Sequence, residues 1–131
     1  MIDIYVIESD SLMVARPKGT LDAQMAERIV EFIEIKEQHS ETGFHRFCDL
    51  SSLEGIRLSD AEVQSLADRR SAFNPNDIRV KSAFLAIHPL AYGIARMYEQ
   101  MLHSPRIEVR VFSQLEPAAE WLAIKPGLLT L

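Results

Sequence analysis

The chain has 131 residues, a length that indicates one domain spanning residues 1–131. Its net charge of −5, without a Lys/Arg cluster, argues against nucleic acid as a partner, because a negative surface repels the phosphate backbone. No apolar run reaches the roughly 18 residues of a membrane span, and the acidic start of the chain lacks the features of a signal peptide, so we expect a cytoplasmic protein.

The first third of the chain predicts a β-hairpin and a helix. Residues 2–7 follow a strand pattern, and a second extended run after a short turn ends at Pro17. Two runs joined by so short a link form an antiparallel hairpin. Gly19–Asp22 then turns into a helix that runs to about His39, with apolar residues recurring at helical spacing.

The rest of the chain repeats a strand followed by a helix. The predicted strands cover residues 44–50, 80–87 and 107–112, and the helices that follow them cover 59–70, 91–102 and 117–122. Strands that alternate with helices predict parallel pairing through right-handed crossovers. We therefore predict an α/β fold with an N-terminal β-hairpin followed by βα units, a mostly parallel sheet and helices mainly on one face.

The same argument predicts a second sheet face without helices. If consecutive strands are neighbours, every crossover places its helix on the same side. Apolar side chains on the uncovered side would then need a ligand or another subunit. The apolar tail from Leu128 to Leu131 could dock there or on a partner. On this reasoning we predict a homodimer.

Specific residues carry a resemblance to a known family. Asp49-Leu50-Ser51 ends the middle strand, and a helix begins ten residues after Asp49. Further along stand Tyr-Gly-Ile-Ala-Arg-Met at 92–97, Val111-Phe112, and Ala-Ala-Glu-Trp-Leu at 118–122. With these residues the chain resembles the STAS fold of anti-sigma-factor antagonists. Over nearly its whole length it resembles the bacterial SpoIIAA-like, or STAS-like, family of unassigned function.

The resemblance implies a non-catalytic interaction or regulatory module without a cofactor. Such a module would present its second and third helices to a protein partner that the sequence does not identify. An alternative is a small carrier of an apolar or amphipathic ligand, which the uncovered sheet face and the family's occasional grouping with lipid carriers favour.

Ser59 is the position that the resemblance implies as a phosphorylation switch. Antagonists of this fold carry Asp-Ser-Ser-Gly there, whereas this chain has Arg57-Leu58-Ser59-Asp60. Ser59 also has a structural explanation, because Ser59 and Glu62 have the spacing of a capping box at a helix start.

Three polar residues are predicted to meet at the edge of the sheet where its parallel strands end. Asp49 ends one strand, His88 follows the next, and Tyr92 lies one helical turn further on. They could form a polar pocket or an acid/base pair, which makes an enzyme the third hypothesis. Terminal residues of neighbouring strands meet at this edge in any such fold, however, and Asp49 could instead bond the backbone amides of the loop after it.

Three further predictions concern Met97, the histidines and Cys48. Met97 lies about one residue away from the apolar stripe of its helix and, with Tyr92, is a candidate for a partner contact. The four histidines are scattered without the spacing of metal ligands, so no metal site is predicted. Cys48 stands in an apolar strand and is predicted as a buried, unreactive side chain.

Overall fold

The computed structural model describes residues 1–130, so Leu131 of the predicted apolar tail lies outside the described residues. The strands are β1 (Ile2–Ile7), β2 (Leu12–Pro17), β3 (Gly19–Asp22), β4 (His45–Asp49), β5 (Leu53–Arg57), β6 (Val80–Leu85) and β7 (Ile107–Phe112). The α-helices are α1 (Ala23–His39), α2 (Asp60–Ala72), α3 (Pro89–Met101) and α4 (Leu115–Leu122). Short 3-10 helices cover Glu8–Asp10 and Pro126–Leu129. Within residues 1–130, no helix combines the length and apolar character that crossing a membrane requires.

The main sheet has the strand order β1-β2-β4-β6-β7. β1 pairs with β2 in antiparallel fashion, and the other neighbours are parallel. The predicted hairpin and the mostly parallel sheet are therefore confirmed. The strand order also advances in one direction without reversal, so the sheet lacks the switch point at which many α/β folds bind nucleotides.

A second, smaller sheet was not predicted. β3 and β5 pair in parallel, although the sequence had indicated only a turn at Gly19–Asp22 and a loop after Asp49. Each strand has four or five residues, too few for an alternating pattern to stand out. These strands also lie directly before α1 and close before α2, and their pairing places the two helix starts side by side.

Helices α1, α2 and α3 cover one face of the main sheet, as predicted. Buried residues of β2 and β4 on this face, such as Met13 and Cys48, belong to one core with Ala26 of α1 and Ala95 of α3. Each of the three helices begins near the carboxyl ends of the strands, because each returns the chain to the amino end of the next strand. Their N-termini therefore share one edge of the sheet with the carboxyl ends of β4 and β6.

The opposite face is not uncovered, and that prediction was wrong. Helix α4 packs there, with Ala118, Ala119 and Leu122 buried against Val14 and Phe47 of the sheet. The crossover rule governs connections between two parallel strands, whereas α4 follows the last strand and is free to take the other face. The segment after α4 adds to this cover, because Leu129 is also buried in the same core.

Candidate functional site

Asp49 is held in place at the carboxyl edge of the sheet by hydrogen bonds. Its Oδ1 atom accepts from the backbone N–H of Ser51 at 2.9 Å and from the Ser51 hydroxyl at 2.6 Å. Its Oδ2 atom lies 3.5 Å from Nε of the buried Arg16. The turn that the sequence offered as an alternative role for Asp49 is thus present. The side chain lines an open groove of about 590 Å³, whose lining also includes Glu116, so two carboxylates face the same space.

His88 and Tyr92 lie at the same edge without joining Asp49. His88 is exposed and directly precedes α3, and its side chain does not cap the helix. Tyr92 is 37% exposed on the first turn of that helix. Among the described residues, no hydrogen bond links Asp49 to either side chain. Met97 is half-buried further along α3. The role of these four residues as ligand or partner contacts stays a prediction.

Ser59 forms the predicted capping box. The backbone N–H of Glu62 donates to the Ser59 hydroxyl oxygen at 3.1 Å, and the Glu62 carboxylate accepts from the Ser59 N–H at 2.9 Å. Both residues are exposed. The hydroxyl therefore serves the fold and is also accessible from outside. Phosphorylation of Ser59 stays a prediction.

Two large apolar side chains are more exposed than the others at this edge. Ile87 and Leu90, on either side of the α3 start, are exposed by 60% and 59%. Leu90 and Met97 are two helical turns apart, so they lie on the same side of α3, whereas Tyr92 lies on another side. The edge thus combines an apolar contact surface with the exposed Ser59.

An apolar cavity of about 120 Å³ lies between the sheet and helices α1–α3. Its walls include Met13, Ile29, Ile33, Leu50, Leu66 and Ala95. Four polar residues also line it, and these are Arg46, Arg70, Ser82 and Tyr98. Arg46 and Ser82 are opposite each other in the β4–β6 pair, near the amino ends of the strands. The cavity therefore has a polar end and an apolar body.

The polar end belongs to a buried cluster around Glu37. The two carboxylate oxygens of Glu37 accept from Arg70 in a bidentate pair, with both distances 3.0 Å. Oε2 of Glu37 also accepts from Arg46 and, at 3.1 Å, from Arg106. All four side chains are at least 95% buried. One carboxylate thus holds three guanidinium groups together inside the fold.

The pKa values in this cluster show how the charges balance. Burial alone would raise the pKa of Glu37, but the hydrogen bond from Arg70 and the charge of Arg46 outweigh it and lower that pKa from 4.5 to about 2. Burial lowers the pKa of Arg46 from 12.5 to about 10, against the opposing effect of Glu37. Both groups remain charged at neutral pH. The charges of Arg70 and Arg106 add to the lowering of the pKa of Arg46.

Cys48 also lines the cavity, and its side chain is buried as predicted. Burial, followed by the charge of Asp49, raises the pKa of this thiol to about 12. Since the thiolate is the nucleophile, a thiol with this pKa is protonated at physiological pH. Within residues 1–130, no group of three or more His, Cys, Asp or Glu side chains could hold a metal ion.

The charged cluster is the feature that sequence reasoning missed. Glu37 is one of several glutamates on α1, and its partners Arg70 and Arg106 are 33 and 69 residues away in the chain. The sequence did contain one signal. Arg46 and Cys48 are two residues apart in an apolar strand, so their side chains lie on the same face of the sheet. A cation at an inward strand position requires a buried partner.

Comparison with solved structures finds the same fold in two proteins. An uncharacterized protein of the DUF3478 family from Shewanella loihica PV-4, which has a SpoIIAA-like fold, has a TM-score of 0.59 and 17% identity, with 93% of this chain and 92% of that chain covered. The anti-sigma factor antagonist SpoIIAA in its unphosphorylated form has a TM-score of 0.55 and 13% identity, with 94% of this chain and 98% of that chain covered.

Sequence comparison alone finds less. No protein-family profile matches the chain, and no curated protein matches it. The alignments cover nearly the whole of this chain and of both solved chains. The chain therefore has the SpoIIAA-like fold that its sequence resemblance predicted.

Proposed function

We propose that this chain is a non-catalytic protein-interaction module whose partner docks on the carboxyl edge of the sheet. The exposure of Ile87 and Leu90 carries the proposal, because large apolar side chains that stand more than half exposed next to each other favour a contact surface. Their position at the start of α3 agrees with the expectation that α2 and α3 are the helices presented to a partner.

Two further observations support a protein as the ligand of this edge. One protein with this fold is an anti-sigma factor antagonist. Ser59 also stands exposed at the start of α2, at the same edge of the sheet as Leu90. A phosphate on Ser59 would add about two negative charges beside the apolar contact and would change its affinity for a partner.

The chemistry of the edge supports a non-catalytic role. An acid/base pair needs two groups within hydrogen-bond reach of the same reacting atom. Asp49 is already bonded to Ser51 and paired with Arg16, and His88 faces solvent without a hydrogen bond to Asp49. Among the described residues, the absence of a hydrogen bond from Asp49 to either His88 or Tyr92 supports the non-catalytic role.

The test is photo-crosslinking in the native host. A photoreactive phenylalanine analogue replaces Leu90 in one variant and Ile35 in a control variant. Ile35 is 48% exposed on α1, which makes it a comparable apolar surface position away from the edge. We expect a discrete crosslinked product of one defined mass from position 90 and none from position 35.

The same experiment tests the predicted homodimer. The uncovered sheet face that motivated this prediction is occupied by α4, so a dimer would have to form through another surface, and we propose the exposed edge at Leu90. A crosslinked product of twice the monomer mass would identify a second copy as the partner. Equal product from positions 90 and 35, or none from either, would contradict docking at this edge.

A second candidate function is the binding of a small apolar or amphipathic ligand. The original reason for it, an uncovered sheet face, no longer holds. The cavity of about 120 Å³ on the opposite side of the sheet replaces that reason. Its apolar walls match an apolar ligand body, and its size restricts the ligand to a small molecule.

A further inference from the structure

The buried cluster beside the cavity contains more positive than negative charge. Arg46, Arg70 and Arg106 share Glu37, and the second carboxylate nearby, Glu34, accepts from Arg70 at 3.3 Å. Glu34 also accepts from the more exposed Arg69 at 2.7 Å. Three buried cations therefore share one fully buried carboxylate and part of a second. A buried charge without a counter-charge is costly, so this arrangement favours an added anion.

Of the three arginines, Arg46 is the one that both lines the cavity and has a hydrogen-bond donor left unpaired within residues 1–130. Its side chain is 4% exposed, and its Nε atom has no hydrogen-bond partner among the described residues. Arg106 shares the lack of an Nε partner, but it does not line the cavity. Arg70 lines the cavity and has both terminal nitrogens bonded to Glu37. Arg46 therefore combines a place among the cavity-lining residues with a donor that the described residues leave unpaired.

We propose that the cavity binds a small organic monocarboxylate, with its carboxylate against Arg46 and its apolar body against Ile33, Leu66 and Ala95. This inference rests on the second proposed function, ligand binding in the cavity. It adds the chemical class of the ligand and the residue that recognises it. Arg46 and Arg70 carry only hydrogen-bond donors, so the group they recognise must be an acceptor.

The charge of the site favours a monocarboxylate over a phosphate. The excess of the cluster lies between one and two positive charges, because Glu34 is shared with Arg69, so a single negative charge offsets most of it and a phosphate dianion would exceed it. The planar fork of a guanidinium group matches both anions, so the charge is what distinguishes them. Ser82, which lies opposite Arg46 in the β4–β6 pair, adds a hydroxyl donor at the same end.

The volume of the cavity sets the length of the ligand. An apolar cavity of about 150 Å³ holds one benzene molecule, which has six carbon atoms. The cavity of about 120 Å³ therefore accommodates an apolar body of about five carbon atoms. The apolar chain of pentanoate has four carbon atoms, which lies within this size and leaves room for the carboxylate, and 1-pentanol is the matched neutral compound.

The experiment is an NMR titration of the whole chain, labelled at its methyl groups, with pentanoate and with 1-pentanol. We expect pentanoate to bind at least about tenfold more tightly, because a hydrogen bond to a charged group stabilises the complex more than one to a neutral group. We also expect the shifts to concentrate on Ile33 and Leu66 rather than on Leu122 and Leu129 of the other face.

Two variants test the role of Arg46. Arg46→Met removes the cation that lines the cavity, and Arg106→Met removes the same charge from the same carboxylate away from the cavity. We expect Arg46→Met to weaken pentanoate binding by about tenfold or more and to leave 1-pentanol binding nearly unchanged. Arg106→Met should retain most of the preference for pentanoate.

The outcomes distinguish the monocarboxylate proposal from the ligand-binding function on which it rests. Equal binding of pentanoate and 1-pentanol would overturn the monocarboxylate and leave ligand binding intact. Binding of neither compound would overturn both. Equal loss of pentanoate binding in the two variants would overturn contact with Arg46. If Arg46→Met does not fold, the two compounds on the unmodified protein still decide whether the site prefers an anion.

Discussion

Each face of the main sheet buries arginine, but the two faces do so in different ways. On the α4 face Arg16 donates to the hydroxyl of Tyr5 at 2.7 Å and to the backbone carbonyl of Leu129, with Asp49 close by. These bonds fasten the C-terminal segment to the sheet. On the α1–α3 face Arg46 shares its carboxylate, Glu37, with two other arginines beside a cavity. Arg16 and Arg46 each keep an Nε atom without a hydrogen-bond partner among the described residues, so the difference lies in the cavity beside Arg46 and in the carboxylate that Arg46 shares.

The two faces of the sheet also differ in how tightly their cores are packed. On the α4 face Val14, Phe47, Ala83 and Ala119 are fully buried in one apolar core. On the other face the cavity of about 120 Å³ interrupts the core. Cavities of this size reduce stability, because their walls lose contacts. The groove on the α4 face lies open at the carboxyl edge of the sheet, whereas this cavity lies inside the core between the sheet and three helices. A gap kept inside the core is consistent with a use for it.

The largest expected effect comes from removing the carboxylate at the centre of the cluster. We expect Glu37→Gln to lower the free energy of unfolding by about 3–5 kcal/mol, because three buried guanidinium groups lose their counter-charge. Urea denaturation measures the change. Glu31→Gln, at an exposed position on the same helix, is the control and should change stability by less than about 0.5 kcal/mol. Similar losses in the two variants would contradict a charged buried cluster.

Acid should weaken the same cluster. The pKa of Glu37 is about 2 in the folded state and 4.5 for an ordinary glutamate, so its contribution is complete above about pH 4.5 and disappears as the pH falls towards 2. The difference corresponds to about 3 kcal/mol. Urea midpoints between pH 7 and pH 2.5 measure the loss. The Glu37→Gln variant should show a shallower decline over this range, and an unchanged slope would assign the loss to other carboxylates.

Replacing one buried alanine by leucine on each face of the sheet compares the packing of the two faces. Ala119→Leu should lower the free energy of unfolding by about 1–3 kcal/mol, because the α4 face has no space for the added atoms. Ala95→Leu should leave stability unchanged or increase it, because Ala95 lines the cavity. Thermal unfolding of both variants measures the difference. Equal losses would show that the cavity cannot accept a side chain.

The smallest effect concerns the capping box at the carboxyl edge. Ser59→Ala should cost about 1 kcal/mol, because the N–H of Glu62 loses its acceptor, whereas Ser59→Asp should retain the cap. Ser59→Asp also adds a negative charge beside the proposed contact surface. Urea denaturation compares the stabilities, and the crosslink from position 90 reports the partner. A crosslink that is unchanged in Ser59→Asp would argue against a switch at this position.

The sequence allowed prediction of the parts of the fold that depend on local patterns. The hairpin, the parallel pairing of the later strands and the capping box at Ser59 all follow from residues close together in the chain. The face taken by α4 could not be predicted, because Ala118, Ala119 and Leu122 would make an apolar stripe on either side of the sheet. The β3–β5 pair was missed because both strands are short.

The candidate site could be predicted only in part. The sequence placed Asp49, His88 and Tyr92 at one edge, because the carboxyl ends of parallel strands and the helix starts lie together in such a fold. The cluster around Glu37 depends on contacts between residues far apart in the chain, and the cavity depends on how three helices settle on the sheet. Neither leaves a periodic pattern in the sequence.

Isotope-filtered NMR shows directly whether pentanoate occupies the cavity. The protein is mixed with ¹³C-labelled pentanoate, and intermolecular NOEs identify the side chains within about 5 Å of the ligand chain. We expect NOEs to the methyl groups of Ile33, Leu66 and Ala95, which line the cavity. NOEs to Leu85 and Leu129, which line the groove at the carboxyl edge, or no NOEs at all, would contradict this expectation.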